Sequence, residues 1–483
     1  MRLAPIIMVL LGLAAGCTPV VNPATGELQY TSMSPAEEMR VGRAEHPRVL
    51  AQFGGAYADR KVQAYVTRVG EALVAVSELS DLDFTFTVLD SEIVNAFALP
   101  GGYVYVTRGL LALADDEAEL AGVLAHEIGH VTARHTAQRY DRAQLGSIGA
   151  GLATVVGGVL LGDAGAQLGQ QLGGLGAAAY VQSYSREQEF EADQLGVRYL
   201  TRAGYEPRAM ASFLAKLRAK DELDRAAGRG GRGVPEFLAS HPRAADRVAR
   251  AAREAGGGPG RLDRDAYLAA IDGLVYGSSP AQGFVRGRTF EHPELRVRFT
   301  APEGFELANT PARVVGRDAA GRLLLFDAGK STRGGDLVAY LRDDWLREQR
   351  LGDLQRLELA GKPAALASGV VTVNRRRAPA LFGVVAGGGG SVWRFILVNP
   401  RGLARTEVDL LLATIRSVDN LSAAEAARLQ PERIEVVTVQ PGDSIDSLAA
   451  RMRVPERPRE TFMLLNGLNG RALRPGEQVK LVR

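Results

Sequence analysis

Two histidines four residues apart, with a glutamate beside the first, stand in Val123-Leu-Ala-His126-Glu127-Ile-Gly-His130. On a helix, positions four apart share a face, so both imidazoles can grip one metal ion while Glu127 faces the same open site. The chemistry implied is metal-assisted hydrolysis. Glu127 would take a proton from the attacking water and return it to the leaving amine. The same pattern also occurs on surface helices whose two histidines are unrelated, so the surrounding elements have to decide.

Asp115-Asp116-Glu117 suits a helix N-terminus, by side-chain capping and by the helix dipole. Leu120, Val123, Leu124, Ile128 and Val131 then form the buried stripe of a helix expected to run to about residue 140, with His126 and His130 at the edge of that stripe. His135 follows His126 by nine residues, about 180° around such a helix, and is read as a bystander. Thr136 stands where the metzincin pattern would need a third histidine. Upstream, Ser34-Pro35-Ala36-Glu37 opens one helix and residues 59–76 form a second. Alternating residues 83–89 mark a strand, and residues 93–99 and 103–107 flank a Pro100-Gly101-Gly102 turn. The outer strand of that hairpin has two readings: it pairs with an extended peptide through backbone hydrogen bonds, or it is structural with a blunted edge.

Downstream of a Gly- and Ala-rich run at 146–179 comes Ser185-Arg-Glu-Gln-Glu189-Phe-Glu191-Ala-Asp193-Gln-Leu-Gly196. Together with the histidine motif and with Asn95-Ala-Phe-Ala-Leu-Pro-Gly-Gly-Tyr-Val-Tyr-Val-Thr-Arg-Gly-Leu110, this stretch resembles the HtpX and CAAX-prenyl-protease family of gluzincins, in particular its periplasmic lipoprotein members. The resemblance covers about residues 34–255. It implies one Zn2+ per chain, held by His126, His130 and Glu189, with Asp193 one turn further on orienting the imidazole of His126. Glu187 and Glu191 are the rival pair, on a different face of the same helix. By the same resemblance, residues Asn95, Ala96, Phe97 and Ala98 would bind substrate, and His241 and Arg247 would lie over the metal. There they would steady the oxyanion, or His241 would take the open metal position and keep the resting enzyme closed. The Gly-rich run has three readings: lid, membrane-contact element or plain core.

A chain of 483 residues exceeds one ordinary core, and its net charge of +3 implies no general pull toward nucleic acid. Arg2, an apolar stretch at 3–15 and Leu13-Ala-Ala-Gly16-Cys17 resemble a bacterial lipoprotein signal. The other reading is an ordinary secretory signal. Cys17 is the chain's one cysteine, which favours lipidation there, and Thr18 after it points by resemblance to the outer membrane. Gly256-Gly-Gly-Pro-Gly260 reads as a linker, with a helix at 262–276 completing the first domain. Residues 283–420 read as strands at 295–299, 313–316, 323–327, 369–373 and 392–398, with helices at 335–350 and 406–415. They faintly resemble PsbP-like domains. Residues 434–483, with Pro-Gly turns at 441–442 and 475–476, resemble a LysM domain, which implies peptidoglycan binding or a docking module that keeps only the fold.

The expected fold class is therefore α+β and multidomain. The expected parts are a signal at 1–16, a tether at 17–33, a mostly helical zincin metalloprotease domain with a small β-sheet at 34–276, an α+β accessory domain at 283–420 and a βααβ LysM-like domain at 434–483. The expected function is a zinc endopeptidase lipid-anchored at the periplasmic face of the outer membrane, with unfolded or misassembled envelope proteins as partners and peptidoglycan as a second. The alternatives are a non-catalytic chaperone or assembly factor and, more weakly, a cell-wall hydrolase.

Overall fold

The computed structural model describes residues 18–31, 33–139, 184–226, 259–333, 335–373, 376–454, 456–468 and 470–483. Their contacts divide into two units: one takes in the N-terminal region to Gly277 together with Glu432–Arg483, and the other Ser278–Pro431.

The first unit opens with β1 (Thr18–Val21) antiparallel to β2 (Leu28–Thr31). Helix α1 (Pro35–Gln52) starts where Ser34 accepts a hydrogen bond from the Glu37 amide, with Pro35 at the first position, where no donor is lost. Helix α2 (Arg60–Val74) is capped by Asp59 and buries Val62, Val66, Val69 and Leu73, the stripe that its periodicity predicts. A three-stranded sheet follows in the order β3-β5-β4. β3 (Thr85–Leu89) runs parallel to β5 (Tyr103–Thr107), and β4 (Ala96–Leu99) pairs antiparallel with β5 at an edge. Gly101 and Gly102, both at positive φ near 80°, make the turn between β4 and β5 that a side chain would strain.

The short helix α3 (Arg108–Leu113) leads into α4 (Glu117–Thr132), the helix with the two histidines. Asp116 caps it by accepting from the Glu119 amide at 2.9 Å. Every residue of α4 is buried. Its acidic first turn is therefore matched inside the protein: Glu117 takes Arg68 at 2.7 Å and the Tyr205 hydroxyl at 2.6 Å, and Glu119 takes the Ser212 hydroxyl at 2.6 Å. The helix stops earlier than expected. Arg134 turns left-handed at φ 59°, held by Glu38 and by the carbonyl of Met33 at 2.8 Å, and residues 135–139 begin a new helical direction.

Helix α5 (Arg186–Arg202) crosses α4 closely, followed by α6 (Ala209–Ala226), α7 (Arg264–Ile271) and β6 (Val275–Tyr276). The helix expected at 262–276 thus ends at Ile271 and turns into a strand.

In the second unit, β10 (Glu306–Asn309), β11 (Val314–Arg317), β12 (Leu323–Lys330), β13 (Gly352–Leu359), β14 (Lys362–Val373), β15 (Arg376–Ala386) and β16 (Ser391–Val398) form an antiparallel sheet in the order β10-β11-β12-β16-β15-β14-β13. β7 (Phe284–Arg286), β8 (Thr289–His292), β9 (Val297–Thr300) and β17 (Asp419–Asn420) form a smaller one. On β16, Val392, Ile396 and Val398 enter one core with Leu337 and Tyr340, while Trp393, Phe395 and Leu397 enter another with Leu411 and Ile415 of α8 (Arg405–Arg416). Both faces of the sheet are covered, which explains the nearly continuous apolar run of that strand.

The chain then returns to the first unit through α9 (Ala423–Arg428) and β18 (Glu432–Thr438), whose first residues pair with β6. β18 pairs antiparallel with β19 (Gln478–Val482), and α10 (Ile445–Ala449) and α11 (Pro458–Leu465) lie between them in sequence. This βααβ module shares one core with the metal-motif helix. Ile434, Phe462, Leu465, Val479 and Leu481 pack in the same cluster as Leu113, Leu120 and Val123. Substituting Leu481→Ala should therefore cost about 2–5 kcal/mol and lower the unfolding midpoint of the whole unit in a single transition. A separate early melting of 432–483, with the main transition unmoved, would contradict a shared core.

Candidate metal centre

His126 and His130 project from α4 on one face, as their spacing requires, and α5 supplies Glu189. The crossing is tight because glycines stand at it. A Cβ on Gly129 would come 3.1 Å from the Ala192 carbonyl oxygen, and one on Gly196 3.2 Å from the backbone nitrogen of His126. The start of α5 is set by a reciprocal cap in which the Gln188 amide donates to the Ser185 hydroxyl at 3.3 Å and the Ser185 amide donates to the Gln188 side chain at 3.1 Å.

Three donor atoms converge at this crossing. His126 Nε2 and His130 Nε2 are 3.0 Å apart, and the Glu189 carboxylate lies 3.8 Å from the first and 3.5 Å from the second. One ligand atom from each residue lies within 4.8 Å of the others, and all three residues are buried. Among the described residues no other trio of such side chains could hold a metal ion. The donor set suits an ion that accepts nitrogen and oxygen. Burial holds the imidazole of His130 well below its usual pKa, so it stays neutral and keeps a lone pair to give. Glu127 is fully buried beside His126.

The outer nitrogens of both imidazoles are engaged as well. Asp193 Oδ1 lies 2.9 Å from His126 Nδ1, which fixes the tautomer that leaves Nε2 for a metal. His130 Nδ1 lies 3.0 Å from His135 Nδ1, and His135 Nε2 lies 3.0 Å from Glu191 Oε2. Expecting His135 to be a bystander was thus mistaken. An unbroken helix would carry it to the far side, whereas the left-handed Arg134 resets the rotation and brings it back. Glu191, the rival to Glu189, reaches the centre through His135, and Glu187 is exposed. With His130 donating from Nδ1, His135 accepts there and donates from Nε2 to the carboxylate of Glu191.

Tyr184, just ahead of the α5 cap, stacks on His130 with ring centroids 3.7 Å apart and planes 12° from parallel. The Arg139 guanidinium lies 4.3 Å above the Tyr184 ring, and its Nη2 donates to the Ala98 carbonyl of β4 at 3.3 Å. Burial raises the pKa of the Tyr184 hydroxyl, the charges of Glu127 and Glu189 add to the rise, and Arg139 opposes it, so the hydroxyl keeps its proton. Of the proposed substrate-binding residues, Ala96, Phe97 and Ala98 lie on β4, and Asn95 precedes them with its amide donating to the Thr107 hydroxyl at 3.0 Å. Phe97 turns into the core against Phe53 and Tyr105 at 5.1 and 4.9 Å, so any peptide contact it makes is through its backbone. His241, Arg247, Cys17 and the Gly-rich run at 146–179 lie outside the described residues.

Residues 60–255, which contain all the side chains of this centre, match the model of peptidase family M48. The match is to the family as a whole and singles out neither HtpX nor the CAAX prenyl proteases. The beta-barrel assembly-enhancing protease of Escherichia coli O157:H7 is 33% identical over 240 residues, 48% of this chain and 47% of that protein. The mitochondrial metalloendopeptidase OMA1 of Schizosaccharomyces pombe is 30% identical over 234 residues, 47% of this chain and 63% of that protein. The chain thus spans about half the length of the first curated relatives it matches. Among solved structures, the cyanobacterial PsbP of Synechocystis sp. PCC 6803 aligns at 15% identity over 30% of this chain and 98% of that one, with a TM-score of 0.22, too low to identify a fold.

Removing the imidazole that braces His130, by His135→Ala, should weaken metal binding about 10- to 100-fold in a chelator competition. Glu191→Ala should act in the same direction and less, because that carboxylate is 30% exposed and water can replace it. Unchanged affinity in both variants would detach the pair from the centre.

Proposed function

We propose that the protein is a zinc-dependent endopeptidase of the M48 type that hydrolyses unfolded or misassembled proteins of the bacterial envelope, held at the periplasmic face of the outer membrane by lipid on Cys17. The convergence of His126, His130 and Glu189, with Glu127 buried beside them, is the observation that carries this reading. The address comes from the lipoprotein-like N-terminus. No helix among the described residues is long and apolar enough to cross a membrane. Envelope clients are taken from the assembly-enhancing protease among the relatives. Peptidoglycan as a second partner rests on the LysM resemblance alone.

Zinc, when bound, supplies Lewis acidity to a carbonyl and acidifies water. The chain's own residues do the rest. Asp193 and His135 hold the two imidazoles in the tautomers that present Nε2. Glu127 accepts a proton from water as it attacks the peptide carbonyl and delivers that proton to the departing amine. The buried ring of Tyr184 excludes solvent beside His130, which strengthens every charge interaction in the site. β4, at a sheet edge next to α4, is the proposed rail for an extended peptide, and Arg139 holds one of its carbonyls in the state described. His241 and Arg247 remain the proposed stabilisers of the oxyanion, or His241 the closing ligand.

A non-catalytic assembly factor would have no need of Glu127. In the mature chain loaded with zinc, Glu127→Gln should keep about one zinc per chain while cleavage of an unfolded protein such as casein falls about 10²- to 10⁴-fold. Wild-type protein that holds zinc yet cleaves neither casein nor peptidoglycan would overturn the hydrolase reading in favour of the assembly factor.

A further inference from the structure

The start of α4 is held from the far end of the chain. Lys480 on β19 is wholly buried, and its Nζ donates to the carbonyls of Ala112 at 3.0 Å and Ala114 at 2.5 Å, with that of Leu113 at 3.5 Å. These are the carbonyls that the end of α3 leaves without helical partners, where a cation is favoured. Asp115 Oδ1 lies 3.6 Å from the same nitrogen and also pairs with Lys216 of α6, while Arg264 of α7 donates to the Asp115 carbonyl at 2.7 Å. The module is itself fixed at this point. Asn466 accepts from the Lys480 amide at 2.7 Å and donates to its carbonyl at 3.0 Å, and Gly467 abuts Asp115 so closely that a Cβ there would overlap the carboxylate.

We propose that Lys480 is a positioning residue for the metal centre: by gripping residues 112–115, the C-terminal module sets the axial position and tilt of α4, and through them the places of His126, Glu127 and His130.

A helix of 16 residues is a rod about 24 Å long. Beyond its core packing and the partners of Glu117 and Glu119, this rod is fixed by the glycine crossing with α5 near its C-terminal end and by the Lys480 grip just before its N-terminal cap. Releasing the grip removes the backbone anchor ahead of the first turn and leaves that end to its side-chain partners alone. A centre whose ligands must stand within about 0.5 Å of their productive geometry is sensitive to that loss. Burial, with the positive charge of Lys216 and Arg264, pushes Lys480 down to about 7 against the pull of Asp115 and Glu119. A lysine under that strain would be replaced to advantage by an apolar residue were it only filling space, but an apolar residue would leave the carbonyls of α3 unmatched.

The activity arm of the test rests on the hydrolase reading above, and the metal arm does not. In the full mature chain, Lys480→Met is compared with Leu481→Ala, its neighbour in the same module, at a temperature where both are folded. Lys480→Met should release zinc to a chelator at least about 10-fold faster than wild type, speed amide exchange across residues 117–132 more than in the rest of the unit's core, and lower kcat with little change in KM. Leu481→Ala, destabilised at least as much, should raise exchange evenly over the core of the unit, through its global unfolding, and leave zinc release and kcat of the folded protein at wild-type values. If Lys480→Met does not fold, Lys480→Gln, which keeps a donor amide, should give the same effects in smaller degree. Wild-type zinc release in the Lys480 variants, exchange across 117–132 no faster than in the rest of the core, or an equal change of zinc release and kcat in Leu481→Ala, would overturn the proposal. Altered zinc release together with an inert wild type would leave it standing and sink only the hydrolase reading.

Discussion

All sixteen residues of α4 are buried, so every polar group on it has to find its partner inside the protein. That constraint arranges the surroundings. The acidic first turn draws Tyr65 and Arg68 from α2, Tyr205 from the turn after α5 and Ser212 from α6. At the other end, His126 and His130 draw Asp193, Glu189 and His135, and Thr132 meets the Tyr199 hydroxyl at 2.9 Å. Carboxylates gather at the first turn, where the helix dipole is positive and favours them. The middle of the rod, with Leu120, Val123 and Leu124, is left to pack the core.

Burial also explains how a site for a charged ion can be built in an apolar setting. The Glu189 carboxylate is buried between two imidazoles, which is costly alone and favourable around a divalent cation. The glycines at the crossing let α4 and α5 approach until the carboxylate and the imidazoles share one space. The side chains just outside the centre limit the motions that would separate them. Asp193 is one helical turn beyond Glu189, so a single helix carries both a ligand and the brace for its neighbour.

The parts legible from sequence are those governed by local periodicity. His126 with His130, and Glu189 with Asp193, are i,i+4 pairs on single helices, and their faces follow from 3.6 residues per turn. The caps at Ser34 and Asp116 follow from the residue types that open those helices, as does the β4–β5 turn. His135 was not legible, because one residue in the left-handed region changes the direction of everything after it and arginine carries no signal for that conformation. β13 and β15 went unread as well: β15 carries Pro379 within its run, and β13 is polar and mostly exposed at a sheet edge. The union of the C-terminal module with the core of α4 is a contact between residues more than 360 apart, and each side taken alone presents an ordinary apolar pattern. Lys480 in the last strand marks the union, and sequence does not tell a buried lysine from an exposed one.

X-ray absorption at the zinc edge of the purified chain tests directly whether His126, His130 and Glu189 form one metal centre. Such a centre gives stoichiometric zinc with two imidazole nitrogens at about 2.0–2.1 Å and the remaining near neighbours oxygen or nitrogen. A shell without imidazole scattering, or one containing sulfur, would contradict it.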